Sequence, residues 1–206
     1  RKMKTLRTST VETAVGVLFI HGGGGWLGSI ETHDCVARRL AHRTKFLTVS
    51  VEYRLVPEHT YVDALQDVRT AYSWLLDRLP SLYGADGARG EVVVCGDSAG
   101  GMYTSGLCVS LELDRQNNAM SADVPRRPLL QVPIYPCTDL FTLYPSRRRL
   151  AKGWLLSERL FDLGMRHWVG SSGPELLEQM KDDPTLTVGR APEALLKKCP
   201  PTLLMT

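Results

Sequence analysis

"VVVCGDSAGG", residues 92–101, is the stretch on which the fold turns. Four apolar residues in a row read as a strand buried on both faces. A serine then follows between small residues, in the pattern Gly96-x-Ser98-x-Gly100. A serine held on a sharp strand-to-helix turn needs positions two residues away to carry no side chain, because a Cβ there collides with the chain. Gly96 and Gly100 meet that need. A helix starting near Ala99 aims free N–H groups and its positive dipole end at the serine oxygen, where negative charge develops during acyl transfer. Ser98 is therefore the candidate nucleophile. The competing reading is a glycine-rich turn with an incidental serine, and the strand–turn–helix setting favours the nucleophile.

Upstream, "VGVLFI" (15–20) reads as another buried strand and runs straight into "HGGGGW" (21–26). Glycines at that place let backbone N–H groups approach a substrate oxygen without a Cβ in the way. A flexible linker is the alternative, but linkers do not usually follow a buried strand. "FLTVSVEY" (46–53) is a β-branched run, and "YVDALQDVRTAYSWLLDRL" (61–79) has apolar residues at 62, 65, 68, 72, 75, 76 and 79, the spacing of a one-faced helix. "EVVVC" (91–95) is followed by a predicted helix over 99–113. "PLLQVPIY" (128–135) is a strand weakened at its end by Pro133, and "PTLLMT" (201–206) reads as the start of a fifth strand.

This alternation predicts an α/β fold: a mostly parallel sheet with helices on both faces. In such sheets, sites collect beyond the carboxyl ends of the strands, where both glycine motifs lie. Residues 139–190 break the rhythm, with one helix candidate, "GWLLSERLFDLGMRHWVG", and then polar sequence without a convincing strand. The expected organisation is a partial core over 1–138, a cap insertion over 139–190, and a return to the core over 191–206.

Composition narrows the classes. The 206 residues suit one domain with a substantial core, at 43% hydrophobic and 23% charged. The net charge is +3, and the single tight basic cluster, "SRRRL" (146–150), lacks aromatic interleaving, so it reads as surface rather than a nucleic-acid contact. The five cysteines, at 35, 95, 108, 137 and 199, are scattered without a C-x-x-C pair. That argues against a disulfide framework or a zinc site, and leads to the expectation of a reducing, cytoplasmic setting. No apolar run reaches the ~20 residues of a membrane span. The chain opens "RKMKTLRTST" without an initiator Met, so a targeting or anchoring segment can precede it; membrane association is not visible in this segment. The oligomeric state is not legible.

"HGGGGW", "VSVEYRLVPEHTYVDALQDVRTAYSWL" (49–75) and "VVVCGDSAGG" together resemble the hormone-sensitive-lipase family of α/β-hydrolases, which includes arylacetamide-deacetylase-like carboxylesterases. The resemblance continues through "APEALLKKCPPTLLMT" (191–206). It implies an α/β-hydrolase fold and a serine esterase acting on small or medium acyl esters, with a small-molecule partner and without metal or cofactor. Carried over by position, it makes Ser98 the nucleophile and the backbone N–H groups of Gly23, Gly24 and Ala99 the oxyanion hole. His21, Gly22, Gly96, Asp97 and Gly100 shape the site, with the "YRLVPEH" loop (53–59) in support.

A serine hydroxyl needs a base, and the base an orienting acid, in the order Ser, Asp or Glu, His. The resemblance puts the acid just after the strand begun by "PTLLMT" and the histidine later, beyond residue 206. His167 is the single histidine after Ser98; pairing it with Asp139 or Asp162 satisfies chain order but not position at a strand's end. His21 and His59 lie near the site by motif and read as loop architecture. His33 and His42 are expected on or beside a helix surface, and Asp63 and Asp67 on a solvated helix face. The family also carries strands and a lid before "VGVLFI", so the expectation is a hydrolase truncated at both ends. Such a chain, taken alone, would turn over p-nitrophenyl acetate poorly and aggregate through its open sheet edges. The alternatives are a receptor-like member of the same fold, as gibberellin receptors are, or an inactive fragment.

Overall fold

Strand β1 (Thr13–Ile20) runs down the middle of a four-stranded parallel sheet of order β2-β1-β3-β4. The computed structural model describes residues 13–84, 89–117, 124–152, 156–169 and 173–206. The "RKMKTLRTST" opening and the "GWL" (153–155) and Gly170 ends of the predicted cap helix lie outside the described residues. β2 (Leu47–Val51) and β3 (Arg89–Asp97) flank β1, and β4 (Leu130–Ile134) pairs with the outer side of β3. The connection from β1 leads one way along the sheet and that from β3 the other. A crevice therefore opens between the carboxyl ends of β1 and β3, the place where such sheets hold ligands.

The alternate residues of β1 explain the layers. Ala14, Leu18 and Ile20 face a large core shared with α2 (Tyr61–Leu82) and α3 (Ala99–Asn117), while Val17 and Phe19 face Ala37 and Leu40 of α1 (Asp34–Thr44). Helix α2 begins in a capping box, with Thr60 Oγ1 accepting from the Asp63 N–H and the Asp63 carboxylate accepting from the Thr60 N–H. Its buried face is set by Tyr61, 6% exposed, rather than by Val62, which the sequence spacing placed inward and which is 55% exposed. The correction is one position of helix rotation at its first turn.

Helix α3 is buried on all sides from Ala99 to Glu112. The Glu112 carboxylate, 2% exposed, is paired by Arg115 and Arg127 at 2.7 Å each, which ties the chain before β4 to α3. Two guanidinium partners offset the cost of taking that charge out of water.

"PTLLMT" pairs with β4 through isolated parallel bridges, Gln131 with Thr202 and Ile134 with Met205, rather than as a full strand. Among the described residues, the 139–190 stretch contains three α-helices, α4 (Pro145–Arg149), α5 (Glu158–Val169) and α6 (Gly173–Asp182), of which the sequence anticipated only α5. Its two stems meet, since the Gly189 N–H donates to the Thr138 carbonyl at 2.9 Å. The short helix α7 (Glu193–Leu196) then leads back to the sheet.

Candidate functional site

The turn after β3 has the geometry its glycines imply. Ser98 adopts φ +52, a left-handed conformation that costs a non-glycine residue roughly 1 kcal/mol. A Cβ on Gly100 would stand 2.0 Å from the Ile20 carbonyl oxygen, so no larger residue fits where α3 starts against β1. The Ser98 N–H is anchored on the Ile134 carbonyl at 2.9 Å, and the Ser98 carbonyl accepts the Met102 N–H at 3.0 Å. The side chain is left to face the crevice.

Across the crevice, the loop 21–28 is held by its carbonyls. His21 Nδ1 lies 2.8 Å from the Gly22 carbonyl, which can accept only, so Nδ1 carries the proton. The Gly23 carbonyl accepts from the N–H groups of Trp26 (3.2 Å) and Leu27 (2.9 Å), and that of Gly25 from Val56 (3.0 Å). In a trans peptide the N–H points opposite to the C=O. Tying down the carbonyls of Gly22 and Gly23 thus turns the next N–H groups, those of Gly23 and Gly24, away from the loop's own bonds. Neither has an acceptor among the described residues, nor has the N–H of Ala99 at the start of α3. Gly23, Gly24, Ser98 and Ala99 line one cavity of about 390 Å³. The arrangement can place three donors and a hydroxyl around one oxygen-bearing carbon.

Asp97 joins the two halves. Its Oδ1 accepts the Gly22 N–H at 3.0 Å across 75 positions of sequence, and its Oδ2 faces Tyr135 Oη at 3.5 Å and His33 Nε2 at 3.6 Å. His33 caps α1, as its expected place beside a helix requires, but its ring turns toward Asp97, a contact no local signal announces. The 53–59 loop buttresses the glycine loop through Tyr53 Oη on the His21 carbonyl, at 2.8 Å, and through Val56. Asp63 and Asp67 are not a merely solvated face. Both bind Arg54, with Asp67 accepting from its Nε and Nη2 at 2.8 Å each, and so fasten the loop to α2.

The remaining candidates lie elsewhere. His59 is exposed. His167 stacks on Trp26 at 4.9 Å with Nδ1 on the Leu163 carbonyl, and Asp139 is spent on the N–H groups of Phe141 and Thr142, so the two do not pair. Those bonds, with that from the Thr142 hydroxyl, hold the Asp139 carboxyl down at about 2 against its desolvation. Sequence reading missed Trp168, whose Nε1–H reaches the Gly24 carbonyl, although Phe161, Met165 and Trp168 repeat at helical spacing on α5. Among the described residues no group of His, Cys, Asp and Glu is placed to hold a metal ion, and no helix is long and apolar enough to cross a membrane.

His21 is wholly buried, stacked on Tyr53 at 4.3 Å, with Nε2 unpartnered. Burial pushes its imidazole below the usual 6.5. The unfolded chain therefore takes up the proton first, and stability falls as pH drops below about 6.5 toward the folded value. Melting temperature followed between about pH 7.5 and pH 5 is expected to decline, with His21→Asn, which keeps a donor toward Gly22, flattening the decline. A slope equal in both proteins would refute this role for His21.

Comparison with known proteins agrees with this fold. A model for the alpha/beta hydrolase fold matches residues 17–206. Lipase 2 of Moraxella sp. is 37% identical over 169 residues, covering 73% of this chain and 38% of the lipase. Carboxylesterase NlhH of Mycobacterium tuberculosis is 34% identical over 191 residues, covering 92% of this chain and 54% of that enzyme. Among solved structures, the hyperthermophilic esterase of the archaeon Pyrobaculum calidifontis superposes with a TM-score of 0.74 at 32% identity, over 95% of this chain and 56% of the esterase. The chain thus spans roughly two-fifths to three-fifths of the length of the proteins it matches.

Proposed function

The chain belongs to the α/β-hydrolase fold family, and from that premise we propose that the protein carrying it is a serine carboxylic-ester hydrolase of the hormone-sensitive-lipase type. One observation carries the proposal: Ser98, held at φ +52, shares a cavity with the acceptor-free N–H groups of Gly23, Gly24 and Ala99. In this reading Ser98 Oγ bonds to the ester carbonyl carbon, and the carbonyl oxygen, now negative, receives those three N–H groups. The tetrahedral species expels the alcohol, protonated as it leaves, and water releases the acid from the acyl-serine. Asp97 is a positioning residue that keeps donor loop and nucleophile in register. No histidine among the described residues bonds Ser98 Oγ, so the base is assigned to the part of its relatives that this chain does not span.

Residues 139–190 act as a cap. Leu140, Leu160, Phe161, Met165 and Trp168 from this segment meet Met102 of α3 around the 390 Å³ cavity, an apolar volume suited to a small or medium acyl group.

The test is fluorophosphonate labelling of the full-length protein, with p-nitrophenyl butyrate as substrate. A single adduct on Ser98 together with ester turnover is the expected result. A folded protein that binds an apolar ligand yet takes no label would instead establish the receptor-like alternative.

A further inference from the structure

Of the four carbonyls from Gly22 to Gly25, one is held from outside the core. His21, the N–H groups of Trp26 and Leu27, and that of Val56 hold those of Gly22, Gly23 and Gly25, whereas the Gly24 carbonyl accepts from Trp168 Nε1–H of α5 at 2.6 Å. Trp168 is 6% exposed and the edge of its ring meets the loop: a Cβ on Gly25 would come within 2.6 Å of its Cζ2. The same helix face grips the loop twice more. His167 stacks on Trp26, and a Cβ on Gly164 would lie 3.2 Å from Trp26 Nε1. Beneath the ring, a column of aromatic contacts runs Trp168–Tyr103 (6.2 Å), Tyr103–Tyr53 (5.1 Å) and Tyr53–His21 (4.3 Å), ending on the residue that starts the loop.

We propose that Trp168 is a positioning residue through which seating of helix α5 fixes the Gly24–Gly25 peptide, and with it the loop whose Gly24 N–H lies one peptide earlier, so that contacts between substrate and cap are expressed in kcat. This rests on the esterase reading of the site. The Gly24–Gly25 peptide is flanked by glycines at φ +66 and +79, which rotate at little cost unless a bond fixes them. Phe161 and Met165, about two turns and one turn before Trp168 on the same face of α5, line the cavity. An acyl group that packs on them stabilises the seated helix, and the seated helix holds the loop that carries the donors. Binding energy from the unreactive end of the substrate is thereby used at the reacting carbon.

The experiment uses two variants of the full-length protein, Trp168→Phe and Trp168 replaced by β-(3-benzothienyl)alanine, which keeps the ring shape and lacks the N–H. With p-nitrophenyl butyrate, kcat is expected to fall about tenfold in both, since a small misplacement of a catalytic group has effects of that order or more. KM should stay within about twofold, the signature of an interaction felt in the transition state. Hydrogen exchange of the 21–27 backbone, read by mass spectrometry, should quicken in both. The benzothienyl variant guards against a folding defect in Trp168→Phe. Wild-type kcat in the benzothienyl variant, or a rise confined to KM, would overturn the proposal. Unchanged exchange of 21–27 would overturn it even if no ester proved to be a substrate, whereas loss of turnover and labelling in the wild type itself would sink the esterase reading alone.

Discussion

Ser98→Ala in the full-length protein is expected to lower kcat by about 10⁴–10⁶-fold, because the proposed mechanism routes every turnover through Ser98 Oγ. KM should change little, since the cavity walls are untouched. The companion substitution Ser98→Gly separates chemistry from strain. It is equally inactive, but the φ of +52 suits glycine, so it should be more stable than Ser98→Ala by about 1 kcal/mol in a denaturant melt. Turnover surviving in Ser98→Ala would remove the serine from the mechanism. Equal stability of the two variants would show that the turn stores no strain.

The second large effect is expected at Asp97. Asp97→Ala deletes the acceptor of the Gly22 N–H, the bond that joins the glycine loop to the serine turn. The loop N–H groups then lose their register with Ser98. The fall in kcat should be about 10²–10³-fold, comparable to losing one oxyanion donor outright. A part-buried N–H left without a partner costs about 1–3 kcal/mol of stability as well. Asp97→Asn keeps an amide oxygen that can accept from Gly22 and should recover most of both losses. Were Asp97→Asn as impaired as Asp97→Ala, the carboxylate charge rather than the loop contact would be what matters. Steady-state kinetics and urea melts of the pair distinguish the two.

What the sequence made legible is what local rules determine. The strands around "VVVCGDSAGG" and "VGVLFI" show as unbroken apolar runs, and the glycines beside Ser98 show because a tight turn has few alternatives. The parallel sheet followed from the alternation of strands and helices. The contacts that complete the site were hidden because they join distant segments. Asp97 meets Gly22 across 75 positions, and Trp168 meets Gly24 across 144, with no pattern within either segment to announce the other. His33 could be placed beside a helix, but not turned toward Asp97. The inward face of α2 was misjudged at Val62 because Tyr61 finds a hydroxyl partner in Asp183, at 2.7 Å, that a hydropathy pattern cannot anticipate. Asp63 and Asp67 read as solvated because their partner, Arg54, lies on a loop whose path is set by tertiary packing.

The bond between Gly189 and Thr138 has a consequence for engineering. An inserted segment whose two ends are already touching can be exchanged without stretching or compressing the chain on either side, because the entropic cost of closing it depends only weakly on its length. The stretch between those residues is therefore a natural cassette. Segments from relatives with other preferences could be spliced at this neck, provided the incoming helix offers an indole N–H to Gly24. The sheet, the glycine loop and the serine turn would stay as a common chassis.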